Sequence, residues 1–430
     1  MTVNLITLGC SKNLVDSEHL LAQFRAAGYR VMHNAYDKAA EIVIINTCGF
    51  ILDAKEESVD SILAYIEEKK RGKIQKLYVM GCLSERYREE LIREMPEVDG
   101  FYGVWDIPAI LESLGSRLDQ RLLHERELST PDHYAYLKIS EGCNRTCAFC
   151  AIPGIRGAQR SISMEHLLKE SRTLVDKGVK ELILIAQDLT NYGIDLYGKR
   201  ALPELLKELV KMEKLEWIRL HYAYPTGFPE EVIDLMASEE KICNYLDIPI
   251  QHVNNEVLSS MGRGHDRAKL EILLHKFRKQ VPDVALRTTV LSGFPGETEE
   301  AHLELMDFIR DFRFERLGVF PYSHEEDTPA YRELQDSISD KEKATRAGSI
   351  MELQQAISLE LNEEKIGKVY KVLIDRREDG YYVGRTQYDS PEVDNEVLVE
   401  AGKELSTGQF YQVKITGAGE FDLYGRVEQL

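Results

Sequence analysis

Six of the seven cysteines in this 430-residue chain form two triads of different design. Cys143, Cys147 and Cys150 read C-x3-C-x2-C in the segment Glu141-Gly142-Cys143-Asn144-Arg145-Thr146-Cys147-Ala148-Phe149-Cys150. Cys10, Cys48 and Cys82 lie more than thirty residues apart, yet each follows an apolar, strand-like run. Three thiolates at short spacing grip a soft metal centre and leave one position for a non-protein ligand, which suits an iron–sulfur cluster. Structural zinc takes four ligands, usually as two close pairs, and no second pair stands nearby. A zinc knuckle or chance spacing is the competing reading of the tight triad. Small buried hydrophobes at strand ends is the competing reading of the dispersed one. Cys243 stands alone and reads as core packing. An odd cysteine count in a long chain without a secretory leader argues against a disulfide framework and for a reducing, cytoplasmic setting.

The surrounding pattern must position these thiols. Asn4 to Leu8, Ile42 to Ile45 and Leu77 to Met80 are apolar runs ending at Gly9-Cys10, Thr47-Cys48-Gly49 and Gly81-Cys82, with helical periodicity over Ser17 to Ala27 and Glu56 to Lys70. Continuous apolar runs alternating with helices predict an amino-terminal α/β domain with a parallel sheet, whose ligands bind beyond the carboxyl ends of the strands. From His133 six further strands are predicted, at Tyr134–Ser140, Glu181–Gln187, Glu216–Tyr222, Tyr245–Gln251, Val284–Ser292 and Glu315–Pro321. Helices fall between them, including Met164 to Lys177, Leu202 to Lys214 and Glu299 to Phe312. Six units predict a partial (β/α)6 barrel, open on one side, with its chemistry at the carboxyl ends of its strands. A charged helix over Ser339 to Glu364 returns along it. Short β-type runs from Lys368 to Thr416 predict a small all-β barrel, with Gly417-Ala418-Gly419 as a turn. The expected domains are therefore residues 1–120, 130–364 and 365–430.

The apolar content of 43% supports ordinary buried cores, and no apolar run is long enough to span a bilayer. A formal charge of −19 disfavours generic attraction to nucleic-acid phosphates. Polar side chains at barrel strand ends, Gln187-Asp188 and Gln251-His252, suit contacts to a small ligand, although polar residues also simply leave a core there. Phe149 lies between two thiols, where its plain reading is loop packing. Gly293 and Gly296, in Gly293-Phe294-Pro295-Gly296-Glu297-Thr298, allow close backbone approach to a ligand, or an ordinary turn before a helix.

Taken in order, these parts resemble the radical S-adenosylmethionine (SAM) methylthiotransferase family over essentially the whole chain. The resemblance implies two [4Fe-4S] clusters. The one on Cys143, Cys147 and Cys150 binds SAM and yields a 5'-deoxyadenosyl radical. The other, on Cys10, Cys48 and Cys82, carries the sulfur to be inserted. One SAM supplies a methyl group and a second the radical. It further implies SAM contacts from Phe149, Gln187, Asp188, Gln251, Gly293 and Gly296, a terminal TRAM barrel and an electron donor. One departure is visible: the family's Arg-Gly followed by Ser-Arg becomes Arg156-Gly157 followed by Ser161-Ile162, so the second arginine's role has no owner at position 162, and Arg160 is the neighbouring stand-in.

Two substrate branches compete, adenosine beside the tRNA anticodon and an aspartate β-carbon of ribosomal protein S-twelve. A non-catalytic iron–sulfur RNA-binding adaptor is a third reading. From Ile366 onward eight basic side chains face twelve acidic ones. An acidic terminal barrel complements a basic ribosomal protein better than RNA. Gly9-Cys10-Ser11-Lys12-Asn13 and Leu246-Asp247-Ile248-Pro249-Ile250-Gln251-His252 also resemble the ribosomal-protein branch. The expectation is a cytoplasmic monomer without membrane contact, since no heptad seam appears.

Overall fold

The first apolar runs become a five-stranded parallel sheet in a computed structural model that describes residues 1–36, 38–400 and 404–428. Its strands are β1 (Thr2–Thr7), β2 (Arg30–His33), β3 (Ile42–Thr47), β4 (Lys76–Gly81) and β5 (Gly100–Phe101), in the order β2-β1-β3-β4-β5. Central β3 is buried at every position because helices cover both faces, which is why it reads as an unbroken apolar run. Helix Leu52–Lys70 packs Ile62 and Ile66 on Val43, Ile45 and Val79, while helix Ser11–Ala26 packs Leu20 and Phe24 on Leu5 and Ile44. The edge strands β2 and β5 carry no apolar run; pairing to their neighbours, not local pattern, makes them strands.

All six strands expected in the second block are present: β6 (Tyr134–Lys138), then β9 (Glu181–Ile185), β10 (Trp217–Leu220), β11 (Ile242–Asp247), β12 (Ala285–Ser292) and β13 (Arg316–Pro321). Between β6 and β9 lies an unexpected two-stranded ribbon of β7 (Ser140–Glu141) and β8 (Arg160–Ser161) that frames the tight triad. The six strands form one parallel sheet in the order β6-β9-β10-β11-β12-β13, with β6 and β13 as its unpaired edges. Helices Met164–Asp176 and Glu299–Phe312 start at Ser163 and Thr298, whose side chains accept from the backbone N–H groups of His166 and Ala301. The helix expected over Leu202 to Lys214 ends at Leu209. Helix Asp340–Glu363 lies against β13 and helix Glu299–Phe312.

The terminal segment closes into a five-stranded barrel of β14 (Val369–Glu378), β15 (Tyr381–Arg385), β16 (Val397–Glu400), β17 (Phe410–Ala418) and β18 (Leu423–Val427), ordered β14-β15-β16-β18-β17. Strand β18 escapes the sequence pattern because its buried positions are only Leu423 and Gly425. The turn at Gly419 is closed by its N–H donating to Asp422 O at 2.7 Å.

This barrel is docked by charge. Buried Glu181, at the start of β9, pairs with Arg219 at 2.7 Å and with Arg385 of the terminal barrel at 2.9 Å. Asp375 accepts from His133 and Arg385, Asp389 pairs with Arg316, and Asp394 pairs with Arg287 and accepts from Tyr245. Part of the acidic excess of this segment is therefore internal. Asp375, Asp389 and Asp394 are spent on barrel partners rather than on a surface for a basic protein, and Lys403 lies outside the described residues. Among the described residues no helix is long and apolar enough to cross a membrane.

Candidate cluster and substrate site

The dispersed cysteines stand at the carboxyl ends of β1, β3 and β4, where the parallel sheet brings them together. Two glycines make that approach possible. Gly9 has φ +84°, and a Cβ there would sit 2.6 Å from Cys48 Cβ. Gly81 has φ +98°, and a Cβ would sit 2.4 Å from Asn46 Oδ1. Cys10 and Cys82 then open helices Ser11–Ala26 and Cys82–Arg86. The tight triad occupies the loop held by the β7–β8 ribbon, with Cys143 N–H donating to Gly157 O at 3.1 Å.

All six thiols line one cavity of about 1710 Å³ between the amino-terminal sheet and the barrel. Burial pushes the Cys82 and Cys150 thiols up to about 12 and Cys143 up to about 11, so they are protonated thiols at neutral pH until a metal displaces the proton. The donor set suits a soft centre: sulfur only, with hydrogen-bond donors aimed at it. Arg145 N–H donates to Cys143 Sγ and Arg263 Nη1 to Cys147 Sγ, both at 3.4 Å. Among the described residues no three His, Cys, Asp or Glu side chains are arranged to hold a single metal ion.

A buried network joins the two sides. Arg156, 2% exposed, reaches Glu141 at 2.7 Å, Asp16 at 3.3 Å and Asn13, while Lys138 pairs with Asp16 and Glu141. Burial alone would raise the Glu141 carboxyl, but Lys138 and Arg156 overcome it and hold the group down at about 2. Arg145 and Arg263 stack on the Tyr224 ring at 3.9 and 4.1 Å, and Asp188 holds Arg145 at 2.7 Å.

Of the residues expected to contact a nucleoside ligand, Phe149, Gln187 and Gln251 are on the cavity wall. Asp188, Gly293 and Gly296 are not on it. Asp188 is buried behind the wall, spent on Arg145 and on Thr190 N–H. Gly293 faces Lys343, its N–H donating to Glu297, and Gly296 lies in the same turn. Arg160 stacks on Trp105 at 4.7 Å, away from this wall. Arg145, Tyr222, Tyr224 and Arg263 were not singled out, and Lys12 was noted only within the Gly9-Cys10-Ser11-Lys12-Asn13 motif. Arg145 sits between two cysteines and could have been found there, whereas nothing local marks Arg263 or Tyr224. Tyr222 (φ +61°) and Gln251 (φ +70°) are non-glycine residues in left-handed backbone in the loops after β10 and β11, each costing roughly 1–3 kcal/mol, and both face the cavity.

Next to Gln251, His252 is fully buried. Its Nδ1 accepts from Asn254 N–H at 3.0 Å, and among the described residues its Nε2 has no hydrogen-bond partner. Burial depresses its pKa to about 4, His302 and Arg346 adding to the effect against the pull of Glu304. The unfolded chain takes this proton near pH 6.5, so the stability from neutral His252 is complete above that pH and is lost as pH falls towards 4. Urea midpoints measured across that window are expected to fall with pH less steeply in His252→Gln than in the parent, the difference being at most about 1.4 kcal/mol per pH unit. Equal slopes would contradict this reading.

Comparison with known proteins assigns each segment. The model of "Uncharacterized protein family UPF0004" matches residues 2–103, that of the radical SAM superfamily residues 137–309, and that of the TRAM domain residues 366–427. The curated ribosomal protein uS12 methylthiotransferase RimO of Flavobacterium psychrophilum is 55% identical over 98% of this chain and 97% of its own. That of Phocaeicola vulgatus is 52% identical over 99% of both. Among solved structures, the radical SAM methyltransferase TsrM from Kitasatospora setae, with cobalamin and a [4Fe-4S] cluster bound, superposes with a TM-score of 0.55 over 95% of this chain and 83% of that one. At 14% identity that likeness concerns the fold alone.

Proposed function

We infer the reaction from one premise: this chain belongs to the ribosomal protein uS12 methylthiotransferase family of radical SAM enzymes. It inserts a methylthio group at the β-carbon of an aspartate in uS12, ribosomal protein S-twelve. The observation that carries this is the convergence of six thiols, contributed by two domains, on one cavity.

The division of labour follows residues 1–120, 130–364 and 365–430. Cys143, Cys147 and Cys150 would hold one [4Fe-4S] cluster and Cys10, Cys48 and Cys82 a second; with SAM these supply, respectively, a hydrogen-abstracting radical and the sulfur to be inserted. The chain's own residues orient and protect. Arg263 and the Arg145 backbone donate to sulfur, a means of tuning the site's electronics. Phe149 offers an apolar platform for the adenine, and Gln187 and Gln251 offer amides to the polar groups of the same ligand. Gln187 is itself fixed by donating to Glu141. The uS12 reading is preferred to tRNA because the near full-length relatives act on uS12. We place the enzyme in the cytoplasm as a monomer served by an electron donor, with uS12 or the small ribosomal subunit as its partner.

A uS12 peptide deuterated at the aspartate β-carbon tests this. Deuterium is expected in 5'-deoxyadenosine during turnover, and its absence beside methylthiolated product would contradict abstraction from that carbon. An adaptor without catalysis yields no 5'-deoxyadenosine at all.

A further inference from the structure

Six cationic side chains line the cavity, and five of them are already engaged. Lys55 pairs with Glu325, Arg145 with Asp188, Arg156 with Asp16 and Glu141, and Lys343 with Asp336 and Asp340. Arg263 donates to Pro249 O at 2.7 Å and to Cys147 Sγ. Lys12 is the exception. It is 7% exposed, and among the described residues it has neither a carboxylate within 4.0 Å nor a hydrogen-bond acceptor for its ammonium. Among the described residues it rests on the face of Tyr222, 3.1 Å from the ring centroid, and its charge also acts on the nearby Cys10 thiol. An ammonium that lies on a cavity wall without a protein acceptor is free to meet an anion, and that meeting forms a strong charge-assisted hydrogen bond.

Place adds to charge. Lys12 lies two residues beyond Cys10 in helix Ser11–Ala26, and Tyr222 lies in the loop two residues after strand β10, so their contact spans the junction between the sulfur-bearing sheet and the barrel. We propose that Lys12 is the specificity residue of this site: its ammonium, steadied on Tyr222, binds the side-chain carboxylate of the substrate aspartate and thereby holds the adjacent β-carbon beside the dispersed triad. This rests on the function inferred above and adds to it the group that distinguishes an acidic side chain from a neutral isostere. A site built around a buried charge rejects a ligand that leaves it unpaired.

The test uses cluster-reconstituted full-length enzyme and two uS12 peptides, one with aspartate and one with asparagine at the modified position. Affinity is measured by fluorescence anisotropy and methylthiolation by mass spectrometry. The parent enzyme is expected to favour the aspartate peptide by on the order of 10–100-fold. Lys12→Met and Lys12→Gln are expected to bring that ratio near one while keeping asparagine-peptide and SAM affinity, and Lys12→Arg to keep most of the preference. A preserved ratio in the uncharged variants overturns the proposal. So does loss of SAM affinity in place of peptide discrimination, or equal loss of both peptides in all three variants. The underlying reading fails differently: the parent enzyme would then modify neither peptide nor intact uS12, and the assignment of Lys12 would fall with it.

Discussion

Replacing Cys147 by Ala is expected to reduce 5'-deoxyadenosine formation to the uncatalysed background, whereas replacing Cys82 by Ala is expected to preserve it and abolish only the methylthiolated product. The contrast follows from the arrangement of the thiols. Cys147 shares its loop with Cys143 and Cys150, and its sulfur receives the Arg263 guanidinium. Cys82 belongs to the amino-terminal sheet and packs in a small apolar cluster with Val104, Ala151 and Ile155. Removing one buried sulfur there costs about 1 kcal/mol of packing, too little to unfold the domain. Each variant should keep about four of the roughly eight irons of the parent. Loss of 5'-deoxyadenosine in both variants would mean that the triads do not divide the chemistry.

The second large effect concerns stability. Arg126 is fully buried in the segment between sheet and barrel, its Nε donating to Glu18 Oε2 and its Nη1 to Glu170 Oε1, each at 3.0 Å, with a further bond to Tyr136 O. Glu18 belongs to the helix after β1 and Glu170 to the helix after β8, so one guanidinium pins both parts of the molecule. Arg126→Met leaves two carboxylates buried without their counter-charge, a loss of about 3–5 kcal/mol. The exposed pair Arg25–Glu127 sets the scale for comparison, and Arg25→Ala should cost under about 1 kcal/mol. Chemical denaturation monitored by near-UV circular dichroism checks both. Restoring part of the loss with Glu18→Gln in the Arg126→Met background would identify the unpaired charge as its cause. An unchanged midpoint for Arg126→Met would refute the pinning role.

Elements buried on both faces were legible in the sequence. Strands β3, β4 and β9 are continuous apolar runs, and the cysteines at strand ends follow from parallel-sheet geometry. Strands β2, β5, β7 and β8 were not legible, because pairing to partners about twenty or more residues away creates them, and β18 was not because it buries only Leu423 and Gly425. The same division holds at the site. The cysteines, Phe149, Gln187 and Gln251 have local signatures. Tyr224 and Arg263 acquire meaning only when folding stacks them together, and Asp188 turned out to serve Arg145. Net charge pointed to the substrate branch that the relatives bear out, but it does not resolve place: a carboxylate counted along the chain looks the same whether it faces solvent or, like Asp389, neutralises a buried arginine.

The cavity delivers a methylthio group to a protein aspartate. Reduced, cluster-reconstituted enzyme incubated with SAM, a sulfur source and either uS12 or tRNA, followed by mass spectrometry, tests it most directly. A methylthio mass increase on the uS12 aspartate, with tRNA unchanged, is the predicted result; the same increase on tRNA adenosine, with uS12 unmodified, would contradict it.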